Sequence, residues 1–194
     1  MLAPSKIVCI GRNYVKHIEE LGNEIPEQMV VFNKPPSAIS DKLVAVSDEP
    51  HHYEAELCFK VVAGQLAEVA VGLDLTKRNL QSYLKQKGLP WERAKAFDGS
   101  ALFSDFLVAP SDVSKLAVEL KVDGEVRQHG NVSHMMYSPE AILQQVQSFM
   151  SLTDGDILMT GTPEGVGVVA SGSVYELTLL DNDKPLTSVS WRAE

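Results

Sequence analysis

The chain has 194 residues, 44% of them apolar and 22% charged, with 26 acidic against 17 basic side chains for a net charge of −9. That length supports one folded unit with a real core, and the negative balance argues against a general nucleic-acid surface while leaving room for a local cationic pocket. No apolar run approaches the roughly 20 residues of a membrane span, and MLAPSKIVCIG has no basic stretch ahead of a long apolar one, so no secretion signal is read there.

Residues 6–10 form a short apolar strand ending at Gly11. RNYVKHIEELGNEIPEQ follows, polar and amphipathic, with Gly22 and Pro26 as stops, and reads as a short helix inside a mobile segment. VVFNKPPSAI is a strand broken by Pro35 and Pro36. Residues 54–62 and 66–73 are β-type runs separated by Ala63-Gly64-Gln65, the pattern of a hairpin. Thr76 is placed as the cap of a helix that runs to about Lys87 and stops at Gly88 and Pro90. Leu116, Val118, Leu120 and Val122 alternate into an Asp123-Gly124 turn. Ser138-Pro139-Glu140 starts a helix, and Ile142, Leu143, Val146, Phe149 and Met150 are expected on its inner face. DILMTGTPEGVG is a strand running into a glycine-rich loop, and SVYELTLL and LTSVSW close the chain as strands. Without a βαβ rhythm the expected fold class is mixed α/β, mainly β. Cys9 and Cys58 stand singly in apolar runs and are read as buried thiols of a reducing compartment, which makes a cytoplasmic protein the expectation.

Glu54 and Glu56 in HHYEAELCFK raise a question of charge. Positions i and i+2 of an extended chain point the same way, so the two carboxylates lie side by side. They are either the solvated face of an edge strand or oxygen ligands of a hard divalent cation that removes their repulsion. Asp74, ending the apolar run VAVGLD, either caps the following helix or joins that cation site. His17 and Glu20, at i and i+3, share one face of a helical turn, where a carboxylate can orient an imidazole as a base; an ordinary exposed helix is the alternative. In TGTPEGVG the hydroxyls of Thr160 and Thr162 and the glycine N–H groups could meet an anion, or the segment is a tight connection. Lys34 and Lys95 are either anion-pairing bases or surface lysines. His51, His52, His129 and His134 read as structural or exposed.

Seven stretches in one order resemble the fumarylacetoacetate hydrolase family: GRNYxxHxxE at 11–20, FxKPxSA at 32–38, HxExEL at 52–57, LDLTxRxxQ at 73–81, KGLPWxxAKxFDGS at 87–100, VDGExRQxGNxSxMxxSP at 122–139 and GDILxTGTPxGVG at 155–167. The similarity covers nearly all of 6–180 and is nearest the small acylpyruvase and oxaloacetate decarboxylase type of member. It implies a mixed β-roll, a single catalytic domain over 1–194 with about 11–30 as a lid, and usually a homodimer. It also implies Mg2+ or Mn2+, sometimes Ca2+, held by Glu54, Glu56 and Asp74. By the same resemblance His17 and Glu20 are a water-activating dyad and Lys95 is the active-site lysine. Arg12, Tyr14, Gln81 and Thr162 are assigned to the pocket of a small anionic 2-oxo acid. The implied reaction is metal-dependent hydrolysis of a C–C bond in a 2,4-dioxo acid, with oxaloacetate decarboxylation, keto–enol tautomerisation or hydroxydienoate isomerisation as alternatives on the same site. Departures from the family pattern, Asn79, His129, His134 and the loosely matching stretch LLDNDKPLTSVSW, leave the three acids untouched and are expected to bear on substrate choice and assembly.

Overall fold

A computed structural model describes residues 3–22 and 24–194. In chain order the elements are β1 (Ile7–Gly11), α1 (Val15–Glu20), β2 (Val30–Lys34), β3 (His51–Tyr53), β4 (Ala55–Val62), β5 (Gln65–Asp74), β6 (Thr76–Lys77), α2 (Arg78–Lys87) and α3 (Glu92–Lys95). The second half holds β7 (Ala101–Phe103), β8 (Leu107–Val108), β9 (Leu116–Val122), β10 (Glu125–Asn131), α4 (Pro139–Gln147), β11 (Ile157–Met159), β12 (Gly167–Val168), β13 (Val174–Asp181) and β14 (Lys184–Arg192). Strand exceeds helix about two to one, 41% against 20%, so the fold is mainly β with a curled sheet.

The largest sheet runs β2-β1-β11-β4-β5-β7, with β8 also on β5. A second sheet runs β10-β9-β13-β14, and a third, short one runs β12-β3-β6. Ala63 and Gly64 join β4 to β5 with positive φ at both, 49° and 75°, the turn whose twist matches the flanking strands. β1 is apolar at every position because both of its faces are covered. Val8 and Ile10 meet Ile142, Leu143 and Val146 of α4, while Ile7 and Cys9 join Cys58, Ile157 and Met159 on the other side. The main core lies between β4/β5 and β9/β13, where Leu57, Phe59, Val69 and Val71 pack with Leu116, Val118, Leu177 and Leu179. Each such side chain contributes about 1.5–3 kcal/mol by leaving water. Both cysteines are buried and unpaired, as expected. Among the described residues no helix is long and apolar enough to cross a membrane.

Two local expectations are corrected. Thr76 does not cap α2: the N-cap is Lys77, the Glu49 carboxylate accepts from the first-turn Asn79 and Leu80 N–H groups at 3.0 and 3.2 Å, and the Thr76 hydroxyl accepts from Lys95 Nζ at 2.6 Å. Phe149 does not face the core. Helix α4 ends at Gln147, and the turn that follows leaves Phe149 59% exposed. The Ser138 cap stands, its hydroxyl accepting from Ala141 N–H, with Pro139 opening the helix.

Candidate metal centre and active site

Glu54 sits in the one-residue break between β3 and β4, Glu56 is the second residue of β4, and Asp74 ends β5. The ladder pairs Ala55 with Leu73, and Asp74 N–H donates to Glu54 O at 2.9 Å. Period-2 geometry within β4 and cross-strand pairing with β5 thus bring all three acids to one place. One oxygen from each lies within 4.8 Å of the others, and all three residues are buried. That span suits a cation with oxygen bonds of about 2.1–2.5 Å.

Three carboxylates can be buried together only with compensation. Lys95 Nζ donates to Glu54 Oε2 at 2.8 Å and to Asp74 Oδ2 at 2.7 Å. Arg78 Nη2 pairs with Glu54 Oε1, while its Nη1 donates to Gln81 Oε1 at 2.8 Å. Lys34, completely buried, bonds the Lys95 carbonyl and stands 2.8 Å from Asp74 Oδ1. It approaches that oxygen off the direction of a hydrogen bond, so Asp74 Oδ1 is buried without one. Glu56 receives Gly161 N–H at 2.8 Å. An all-oxygen donor set, one oxygen of it lacking a hydrogen bond, fits Mg2+ or Mn2+ and equally Ca2+.

The electrostatics separate the two glutamates. Burial, then Asp74 and Glu54, push the Glu56 carboxyl well above its usual range. Burial acts the same way on Glu54, but Lys95, Arg78 and His17 outweigh it and hold that carboxyl low.

His17, in α1, is 5% exposed, and its Nδ1 lies 3.3 Å from Glu20 Oε2. Burial lowers its pKa against the opposing pull of Glu54 and Glu20. The neutral tautomer that donates Nδ1–H to Glu20 leaves Nε2 as the basic nitrogen. Glu20 is itself held by Gly165 N–H, at 3.0 and 3.2 Å to its two oxygens. A side chain at Gly165 would meet Arg127 O at 1.9 Å, so only glycine lets that amide reach α1.

One cleft is lined by the acids, Lys95, His17, Arg12, Gln81 and Thr162. Phe32, Trp91, Arg78 and Lys85 are also part of its wall. Of the residues singled out from sequence, Glu20 lies just behind His17, and Tyr14 stands apart from the lining. The Tyr14 hydroxyl is buried without a hydrogen-bond partner among the described residues, and burial together with Glu56 and Glu164 raises its pKa. Thr160 is structural: its hydroxyl donates to Leu57 O and its carbonyl accepts from Asn13. His51 is structural as well, bonding Val44 O and Ser47.

Sequence reasoning missed Gln128. Its amide accepts from Ala55 N–H at 2.9 Å and donates to Thr162 Oγ1 and Pro163 O, both at 2.8 Å. It thereby ties the strand of the acids to the TGTP loop. A register shift between Val126 and Gln128 turns this side chain inward after three residues, Glu125 to Arg127, that face water. No sequence signal marks that bulge. For Lys34 the sequence leaves an anion-pairing base and a surface lysine both open, and its complete burial beside Asp74 decides for the ion pair.

Comparison with known proteins agrees with this geometry. The family described as fumarylacetoacetate (FAA) hydrolase C-terminal matches residues 6–189. Oxaloacetate tautomerase YcgM of Escherichia coli (strain K12) is 38% identical, over 95% of this chain and 91% of its own. The mitochondrial oxaloacetate decarboxylase of Dictyostelium discoideum is 34% identical, over 92% and 91%. Among solved structures, fumarylpyruvate hydrolase of Pseudomonas aeruginosa, in complex with Mn2+ and pyruvate, superposes with a TM-score of 0.81. It is 32% identical over 97% of this chain and 88% of its own. Fold, motif order and overall similarity agree, and the chain belongs to the fumarylacetoacetate hydrolase family.

Proposed function

We propose that this chain is a divalent-metal enzyme that moves a proton beside the C2 carbonyl of a small 2-oxo acid, interconverting the keto and enol forms of an oxaloacetate-class substrate. One observation carries the reading: three buried carboxylates able to hold a cation share a cleft with a charged lysine and a histidine kept neutral by burial. Mg2+ or Mn2+ bound by Glu54, Glu56 and Asp74 would polarise the C2 carbonyl and lower the cost of negative charge on its oxygen.

The chain's own residues do the rest. His17 Nε2 takes a proton from C3, the C–H electron pair becomes the C2=C3 bond, and the imidazolium so formed returns the proton to the C2 oxygen to give the enol. Glu20 holds the imidazole in the tautomer this needs. Lys95 places positive charge beside the oxygen that becomes negative, and Gln81 and Thr162 line the space beside it. Residues 11–30, which carry His17, are taken as a lid over the substrate. The names of the tautomerase and decarboxylase relatives support this choice among the chemistries of the site. The single domain and the homodimer are taken from the resemblance, and the cytoplasmic setting from the two unpaired thiols.

A second reading is hydrolysis of an acylpyruvate or fumarylpyruvate, favoured by the His17–Glu20 pair, since a base oriented in this way can equally activate water. The test is purified protein with and without Mg2+, given oxaloacetate, acetylpyruvate and fumarylpyruvate, with enol absorbance and products followed. The expected result is metal-dependent loss of enol absorbance from oxaloacetate, reduced about 10²–10⁴-fold in His17→Ala. Metal-loaded protein that leaves the uncatalysed rate unchanged sinks the reading, and cleavage of fumarylpyruvate alone selects the second.

A further inference from the structure

Helix α2 begins with two cleft residues. Arg78 is its first residue and Gln81 its fourth, and both line the cleft. Arg78 Nη2 pairs with Glu54 and Nη1 donates to Gln81 Oε1, while Arg78 Nε is buried with no hydrogen-bond partner among the described residues. Those two bonds and the course of the helix fix where the guanidinium stands. The first turn of a helix carries backbone N–H groups that nothing within the helix can satisfy. Here the N-cap side chain, Lys77, does not cap, and the first turn holds no acid.

The missing acid comes from outside the helix. β3 and β6 pair antiparallel, with His51 opposite Lys77 and His52 opposite Thr76. Continued by two residues, that register brings Glu49 opposite Asn79. Glu49 Oε1 accepts from Asn79 N–H at 3.0 Å, and Oε2 accepts from Leu80 N–H at 3.2 Å. Beside it, Asp48 pairs with the ammonium of Lys77. The segment is itself braced: the His51 ring bonds Val44 O and Ser47 Oγ, and Ser47 N–H donates to Glu49 O at 3.3 Å. A carboxylate in this place fills orphan amides and meets the positive end of the helix dipole. Glu49 is not among the residues lining the cleft.

We propose that Glu49 is a positioning residue for the active site: by capping α2 from the segment before β3, it holds Arg78 against Glu54 and Gln81, and so sets how the cleft divides its affinity between a divalent cation and an anionic 2-oxo acid. The anion half of this rests on the 2-oxo acid reading given above, and the cation half on the acid cluster alone. With the cap in place, Arg78 neutralises part of the Glu54 charge and weakens the pull of the three acids on a cation. Loosening the first turn frees Arg78 and strengthens that pull. The same loosening takes a fixed positive charge and the Gln81 amide away from the wall that an anion meets. A substitution outside the cleft thus moves the two affinities in opposite directions, whereas a general loosening of the fold weakens both.

Hydrogen exchange and calorimetry test this. On the metal-free chain, Glu49→Ala should speed exchange of the α2 first-turn amides about fivefold and leave β4 and β5 unchanged. It should tighten Mn2+ binding about threefold and weaken pyruvate binding to the Mn2+-loaded chain about fivefold. Glu49→Gln, which keeps an acceptor and loses the charge, should fall between. Faster exchange with both affinities within about twofold of wild type overturns the proposal and leaves Glu49 a cap for α2 alone. A parallel loss of both affinities overturns it too, as does unchanged exchange. Faster exchange and tighter Mn2+ binding, in a protein that even as wild type binds no pyruvate, sustain the role of Glu49 and remove the 2-oxo acid reading instead.

Discussion

Lys34 Nζ stands 2.8 Å from Asp74 Oδ1, and neither side chain reaches solvent beyond 1%. A lysine from β2 thus neutralises an acid at the end of β5, two strands that are not neighbours in their sheet. Breaking a buried pair by removing one partner leaves an uncompensated charge and costs about 3–5 kcal/mol. Lys34→Met is therefore expected to lower unfolding stability by that order in urea without metal. Millimolar Mg2+ should restore part of the loss, because a cation bound only by the folded chain supplies the missing charge. Equal loss with and without Mg2+ would place the role of Lys34 outside the acid cluster.

The two glutamates predict different outcomes. Glu54 is bonded to Lys95 and Arg78, whereas the Glu56 carboxylate receives the Gly161 N–H and pairs with no cation among the described residues. Glu56→Gln keeps shape and acceptor, so it should lower Mg2+ affinity at least about 100-fold while leaving metal-free stability within about 1 kcal/mol. Glu54→Gln should reduce both, since it strands two buried cations. Calorimetry and urea titration on both variants read the contrast, and matching stability losses would contradict it.

Gln128 replaces a missing strand neighbour. β11 pairs with β4 only as far as Cys58, and beyond that the Ala55 N–H and O are taken by Gln128 and Thr162. Gln128→Ala leaves buried groups unpaired and should cost about 1–3 kcal/mol. Because the same loop holds Glu20 through Gly165, kcat should fall along with stability. Gln128→Glu retains the acceptor toward Ala55 but loses both donors, so it should recover little. Full activity in Gln128→Ala would show that the loop keeps its place without the amide.

Asp156 gives the chain an acid-sensitive clasp. Completely buried, it accepts from Ser5 N–H and Oγ, Lys6 N–H, Lys6 Nζ and Thr153 N–H, tying the start of β1 to β11. Burial alone would raise its pKa, but bonds from Lys6, Thr153 and Ser5 outweigh it and hold the carboxyl well below the usual range. A depressed folded pKa stabilises above the ordinary carboxylate value of about 3.9 and is lost as pH falls below it. Asp156→Asn should thus cost about 2–3 kcal/mol at pH 7, with the difference from wild type shrinking below about pH 4. A pH-independent gap in thermal or urea unfolding would contradict the assignment.

Much of this protein is legible in local sequence, because the signals concerned act within a few residues. Alternation marks β9, the Ala63-Gly64 pair marks a hairpin, Ser138-Pro139 opens α4, and the spacing of Glu54 and Glu56 points both carboxylates one way. Resemblance across seven motifs named the family and the three acids. Tertiary structure alone decided the electrostatics. Whether Lys34 is a surface lysine or a buried counter-charge, whether Thr76 caps a helix or meets Lys95, and whether Gln128 faces water or Ala55 depends on contacts between segments tens of residues apart. A bulge of one residue in β10 reverses the facing of Gln128, and chain closure brings Lys34 and Lys95 against acids on other strands. Composition and period carry no information about such distances, because burial and charge pairing are properties of the packed chain and not of any segment of it.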